Sequence, residues 1–150
     1  MADVVVRDAA LSDAEPVAEL ITQLGYPTTP AEMAQRFAGL LADPGYATFV
    51  AEHRSSVIGV VGGAIARYYE KNGLYARLVV LAVSEKSRGL GVGASLVRAI
   101  EHWAIERGTV EILVNSGSHR VDAHRFYQSH GYRQTGIRLV KGLTSIPARG

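Results

Sequence analysis

Arg88-Gly89-Leu90-Gly91-Val92-Gly93 stands between the apolar stretch Leu78 to Val83 and a helical pattern over Ala94 to Arg107. It reads as a strand that feeds through a glycine loop into a helix N-terminus. Such a loop exposes successive backbone N–H groups with no side chains in the way, and the first turn of the helix adds unpaired donors and the positive end of its dipole. That is a site for an anion, above all a phosphate. The spacing Gly-x-Gly-x-Gly matches neither the dinucleotide fingerprint G-x-G-x-x-G nor the P-loop G-x-x-x-x-G-K-[ST], which weighs against NAD and ATP.

The 150 residues suit one domain over 1–150, long enough to bury roughly 70% of the surface its unfolded form exposes. Hydrophobic residues at 47% and charged residues at 20% exclude a disordered or collagenous chain. The net charge is only +2 and the Lys and Arg residues are scattered, so no nucleic-acid partner is expected. With no cysteine there are no disulfides, thiolate metal sites or cysteine acyl-enzymes within the chain, and a cytoplasmic location is expected. Met1-Ala2-Asp3-Val4 lacks the features of a signal peptide, and the longest nearly apolar run, Val57 to Ala66, is too short to span a bilayer. No membrane partner is expected either.

Val4 to Arg7 reads as a first strand, and Ser12-Asp13-Ala14-Glu15 as a capping box opening a helix with Val17, Leu20, Ile21 and Leu24 on its apolar face. A second capping box, Thr29-Pro30-Ala31-Glu32, opens a helix carrying Met33, Phe37, Leu40 and Leu41. Tyr46 to Glu52 and Val57 to Tyr69 form an expected hairpin, with Gly59, Gly62 and Gly63 bending or bulging its second strand. Tyr75 to Val83 is the strand that enters the glycine loop. The helix beyond it buries Leu96, Val97, Ile100, Trp103 and Ala104 and ends at Gly108; Val110 to Val114 is a short strand. A further helix carries Ala123, Phe126, Tyr127 and His130 and stops at Gly131, Tyr132 to Val140 makes a last strand or strand pair, and 142–150 is a tail.

That order, with Arg88-x-x-Gly91-x-Gly93 after the fourth strand and Ala123-His124-Arg125-Phe126-Tyr127-Gln128-Ser129-His130-Gly131-Tyr132 near the end, resembles the GNAT N-acetyltransferase superfamily. The first motif is similar to that family's R/Q-x-x-G-x-G/A signature and the second to its A-x-x-F-Y-x-x-x-G-F/Y segment. Ser116-Gly117-Ser118-His119-Arg120 further resembles a bacterial subset. The resemblance implies an α/β fold: a mixed, mostly antiparallel central sheet of six to seven strands flanked by about four helices, with strands 4 and 5 splayed. It also implies acetyl-CoA as the cofactor. The backbone of Arg88, Gly89, Leu90, Gly91, Val92, Gly93 and Ala94 would hold the coenzyme A pyrophosphate, and Leu81, Ala82 and Val83 would pair with the pantetheine arm as with an added strand. A bulge in this strand would direct an N–H, that of Leu81, at the thioester oxygen, where it stabilises the oxyanion of the tetrahedral intermediate. Tyr127 matches the family tyrosine that protonates the departing thiolate, a phenol of reference pKa about 10 being protonated at neutral pH; the alternative is a packed aromatic with its hydroxyl in water. Arg120, where many relatives have asparagine, would approach a coenzyme A phosphate or cap a neighbouring loop.

Many relatives carry a glutamate on the fourth strand as general base, whereas Ala76-Arg77-Leu78-Val79-Val80 contains no carboxylate. Glu70, Glu111 and His119 are the substitutes on offer. His119, His124 and His130 are spaced five and six residues apart, which does not put them on one helical face, so no metal is expected. Tyr68 and Tyr69 either line an acceptor pocket or pack across the sheet, and packing is favoured. The expected function is acetyl transfer from acetyl-CoA to a primary amine of a small molecule by direct attack in a ternary complex. The alternatives are acetylation of a protein N-terminus or lysine, a non-catalytic coenzyme A binding or sensing domain, and an unrelated nucleotide-binding module. Many relatives dimerise, which makes a homodimer a further option.

Overall fold

A strand must find partners on both sides or leave its ladder groups to water, so the sheet is best followed from its pairing. The computed structural model describes residues 3–115, 121–145 and 147–149. It divides into two compact units, Met1–Val114 and Asn115–Gly150.

In the first unit, β1 (Val4–Asp8), β2 (Tyr46–His53), β3 (Ser56–Arg67), β4 (Leu74–Val83) and β5 (Thr109–Val114) form one sheet in chain order. The first four pair antiparallel and β5 runs parallel to β4. Between β4 and β5 comes α3 (Val92–Glu106), the crossover helix that a parallel pair requires. Helices α1 (Ala14–Leu24) and α2 (Pro30–Ala42) link β1 to β2. Val17, Ala18, Leu20, Met33 and Phe37 of these helices share a buried cluster with Val50, Val60 and Ala82 of the sheet. The opposite face of β3 meets α3, and its glycines permit close approach. A Cβ on Gly59 would lie 2.8 Å from Leu96 Cδ1, and one on Gly63 would lie 2.7 Å from Ile100 Cδ1.

Thr29 and Glu32 form the expected capping box: Glu32 N–H donates to Thr29 Oγ1 at 3.1 Å and Thr29 N–H to Glu32 Oε1 at 2.9 Å. The start of α1 differs from expectation. A 3-10 turn over Leu11–Asp13 precedes it, and buried Asp13, rather than Ser12, supplies the polar anchor. Its carboxylate accepts from Ala10 N–H at 2.8 Å and from both Arg7 guanidinium nitrogens at 2.8 and 2.9 Å. Charge-assisted, two-pronged bonds of this kind outweigh a neutral hydroxyl cap, and the Arg7 guanidinium holds the Asp13 carboxyl below its ordinary range.

The sheet has five strands, not six to seven. Among the described residues, 132–142 adopt no strand, where Tyr132 to Val140 was expected to supply one or two. Arg133-Gln134-Thr135-Gly136 interrupts the apolar alternation, and Ile137, Leu139 and Val140 are largely exposed. An extended run without a neighbour or a buried face gains too little to be fixed as a strand. Among the described residues there are four α-helices, as expected, the last being α4 (Val121–Ser129) in the second unit.

Candidate functional site

Pairing of β4 with β5 ends at Leu78 opposite Val114. Beyond that point β4 continues to Val83 on the arm of β3 alone, with Val80 opposite Gly62, Ala82 opposite Val60 and Ser84 N–H donating to Ile58 O at 2.8 Å. Backbone groups alternate along a strand, so Ser84, Ala82 and Val80 address β3, while the N–H and C=O of Leu81 and Val83 face the side on which β5 has already ended at Val114. The edge of β4 beyond Leu78 is thus a row of backbone donors and acceptors that no strand of the first unit covers among the described residues. A register shift lies where the pairing with β5 ends. Gly63 is opposite Leu78 and Gly62 opposite Val80, which leaves Val79 as the extra residue. The bulge therefore falls two residues before Leu81, which is itself regular and faces the opening.

From Val83 the chain enters the glycine loop through a short 3-10 turn, Glu85–Ser87, tied to α1 by Glu85 N–H donating to Gln23 Oε1 at 3.2 Å. Arg88 is extended and exposed. Gly89 and Gly91 have φ of +87° and +74°, and a Cβ on either would meet nothing within 4 Å. The backbone conformation, not crowding, demands glycine there. Gly91 is the N-cap of α3 and offers no side-chain cap. The first helical bond runs from Ser95 N–H to Gly91 O at 3.1 Å, which leaves the N–H groups of Val92, Gly93 and Ala94 without a helical acceptor. Val92 is buried and holds the helix start against Gly59. The loop therefore presents three aligned donors at the positive end of a 15-residue helix, room beside two glycines, and an exposed arginine next to them.

In the second unit, Phe126 and Tyr127 lie on α4 with their rings 5.3 Å apart. Gly131, at φ +90°, closes the helix: its N–H donates to Gln128 O at 3.1 Å and Tyr132 N–H donates to Tyr127 O at 3.0 Å. This paired arrangement is the Schellman motif, and the ring of Tyr132 packs 5.5 Å from that of Tyr127. The last two residues of the Ala123-to-Tyr132 segment thus steady Tyr127, a role the sequence showed only as a helix stop. Arg120 and His119 lie outside the described residues, as do Ser116, Gly117 and Ser118.

No carboxylate lies on β4. Glu111 on β5 is engaged: it accepts a hydrogen bond from the Tyr68 hydroxyl and pairs with Lys71 Nζ at 3.7 Å. Lost solvation first, and the bond to Glu111 second, push the Tyr68 phenol up to about 12. The Tyr68 ring packs 4.8 Å from that of Tyr75, and Tyr69 is fully exposed. Among the described residues, no group of three or more His, Cys, Asp or Glu is placed to hold a metal ion, and no helix is long and apolar enough to cross a membrane.

A half-open strand leading into a glycine-capped helix defines a class, and comparison with known proteins gives the same one. The sequence profile of the acetyltransferase (GNAT) family matches residues 14–132, and the chain belongs to that family. It is 29% identical over 105 residues to N-acetyltransferase 8B of Rattus norvegicus, covering 70% of this chain and 47% of that protein. It is 28% identical over 107 residues to the aminoalkylphosphonate N-acetyltransferase of Salmonella typhimurium, covering 71% and 70%. The structure of an aminoglycoside N-acetyltransferase in complex with CoA superposes with a TM-score of 0.84 at 19% identity, covering 95% of each chain, which establishes likeness of fold. The chain spans about half the length of the rat N-acetyltransferases it matches.

Proposed function

We propose that this chain is an acetyl-CoA-dependent N-acetyltransferase acting on a primary amine of a small molecule by direct attack in a ternary complex. The observation that carries the reading is the half-open β4, whose free backbone edge runs from the bulge at Val79 to the donors of Val92, Gly93 and Ala94. An extended thioester arm ending in a pyrophosphate has the shape and the acceptors for that sequence of sites. Coenzyme A would supply the activated acetyl group. The cradle from Arg88 to Ala94 would fix the phosphates, and the edge of Leu81 to Val83 would orient the arm. Leu81 N–H would meet the negative charge that develops on the thioester oxygen.

In the transfer, the amine nitrogen forms the bond to the carbonyl carbon, the C–S bond breaks, and sulfur leaves with the electron pair. Tyr127 is assigned the proton that sulfur would take up, on the strength of its motif, and would recover one from solvent, to which the amine loses its own. The absence of cysteine favours one direct transfer over a thioester relay on the protein. The match to the aminoalkylphosphonate enzyme supports a small-molecule acceptor, and the family match running from residue 14 to residue 132 supports one domain over 1–150.

Calorimetry with acetyl-CoA, ATP and NAD, followed by thiol-release assays with a panel of amines, tests the reading. Selective binding of acetyl-CoA and turnover that falls in Tyr127→Phe are expected. Binding of ATP or NAD in its place would overturn it. Tight binding with no turnover on any amine or protein extract would establish a coenzyme A sensor instead, the reading that the carboxylate-free β4 favours.

A further inference from the structure

The bulge that marks the end of β4–β5 pairing also borders a recess. Between α1, α2 and strands β2 to β4 lies a cavity of about 60 Å³, walled by Ile21, Phe37, Leu40, Gly62, Val79 and Val80 among others, and no charged side chain lines it. Two features of β3 and β4 keep it open. The extra residue Val79 brings two consecutive valines to one wall, and Gly62 opposite them has no side chain to fill the space. A Cβ on Gly62 would stand 3.1 Å from Val80 Cγ1. At Val79 and Tyr46, which are 50% and 39% exposed, the recess meets solvent. Val80 lines it, and the next residue, Leu81, turns its N–H to the edge of β4 that β5 does not reach.

We propose that this recess takes the apolar substituent of the acceptor, so that the enzyme selects monoamines bearing a compact aliphatic group of about four or five carbons. The inference rests on the acetyltransferase reading and narrows its substrate class. Its physical basis is the lining. A methylene moved from water into such a recess gains about fourfold in binding. A second ammonium or a phosphonate would enter without a counter-charge and be rejected.

The test measures kcat/KM for ethylamine, propylamine, isobutylamine and isopentylamine against putrescine, 2-aminoethylphosphonate and an aminoglycoside, with the acetyl-CoA Kd determined separately by calorimetry. The expected result is a rise of about fourfold per added methylene up to isopentylamine, with the charged acceptors at least tenfold poorer. Leu40 lines the recess and is only partly buried, so it is the place to change the recess's size. Leu40→Ala is expected to move the optimum to longer amines and Leu40→Phe to shorter ones. A flat series, or preference for the diamine, phosphonate or aminoglycoside, in protein that binds acetyl-CoA overturns the inference and leaves the acetyltransferase reading intact. Failure to bind acetyl-CoA overturns both.

Discussion

Leu74 to Leu78 and Val79 to Val83 are two halves of one strand with much the same apolar character, and they serve different ends. The first half is paired on both sides, with β3 and with β5. The cluster of Tyr68, Tyr75, Lys71 and Glu111 further clamps it, with Lys71 Nζ 4.5 Å from the Tyr68 ring centroid. The second half keeps β3 but loses β5, and its outward backbone groups become available for binding. The difference lies in the main chain, which is why a run of valines, leucines and alanines can be paired on both edges at one end and on one edge at the other.

Proline makes the sharpest probe, because it deletes one N–H at a time. Ala82→Pro removes a bond to β3 and is expected to cost about 3 kcal/mol or more of stability, read as a fall in urea midpoint. Leu81→Pro removes an N–H that faces the opening, so a smaller loss of stability is expected with a fall in kcat of about 10²- to 10³-fold. Equal destabilisation by both, with no separate effect on kcat, would erase the distinction between the two faces of the strand.

The next largest effect is expected where the second half ends. Gly91→Glu places a carboxylate beside the free donors of α3 and forces a side chain onto a φ of +74°. Acetyl-CoA affinity should fall at least about tenfold, or 1.4 kcal/mol, by calorimetry. Unchanged affinity would remove the cradle from the binding site.

The smallest effect belongs to the clamped half. Glu111→Gln removes the carboxylate that helps raise the Tyr68 phenol, so its ultraviolet titration should move down from about 12 toward 10. Because folding raises this value, the contribution of Tyr68 is complete below pH 10 and is lost as pH rises through about 12. A change in acetyl transfer at neutral pH beyond about twofold would show that the clamp is not merely structural and would return Glu111 to consideration as a proton acceptor.

Much of this was legible from residue order. Thr29 and Glu32 announced their own cap, and the glycines announced a departure from regular strand in β3, which falls at Ile58 beside Gly59 in the pairing with β2. Gly89 and Gly91 were legible as a loop clear of side chains, while their positive φ came only with the structure. Other features were hidden. Asp13 displaced the expected Ser12 cap because Arg7, six residues away, reaches it from β1. The bulge at Val79 left no trace among neighbouring valines, since apolar residues on consecutive positions read the same whether the strand is regular or not. Tyr132 to Val140 looked like a strand by composition, but composition does not supply a neighbour to pair with.

By itself the sequence determined the order of elements, the glycine-capped entry to α3 and membership of the acetyltransferase family, because glycine spacing, capping residues and helical periodicity are local and leave a local signature. The tertiary structure alone decided which backbone groups of β4 are spent on the sheet and which are free, and that an uncharged recess borders the free ones. Pairing and cavities arise between segments distant in the chain, and no stretch of residues encodes its own neighbour.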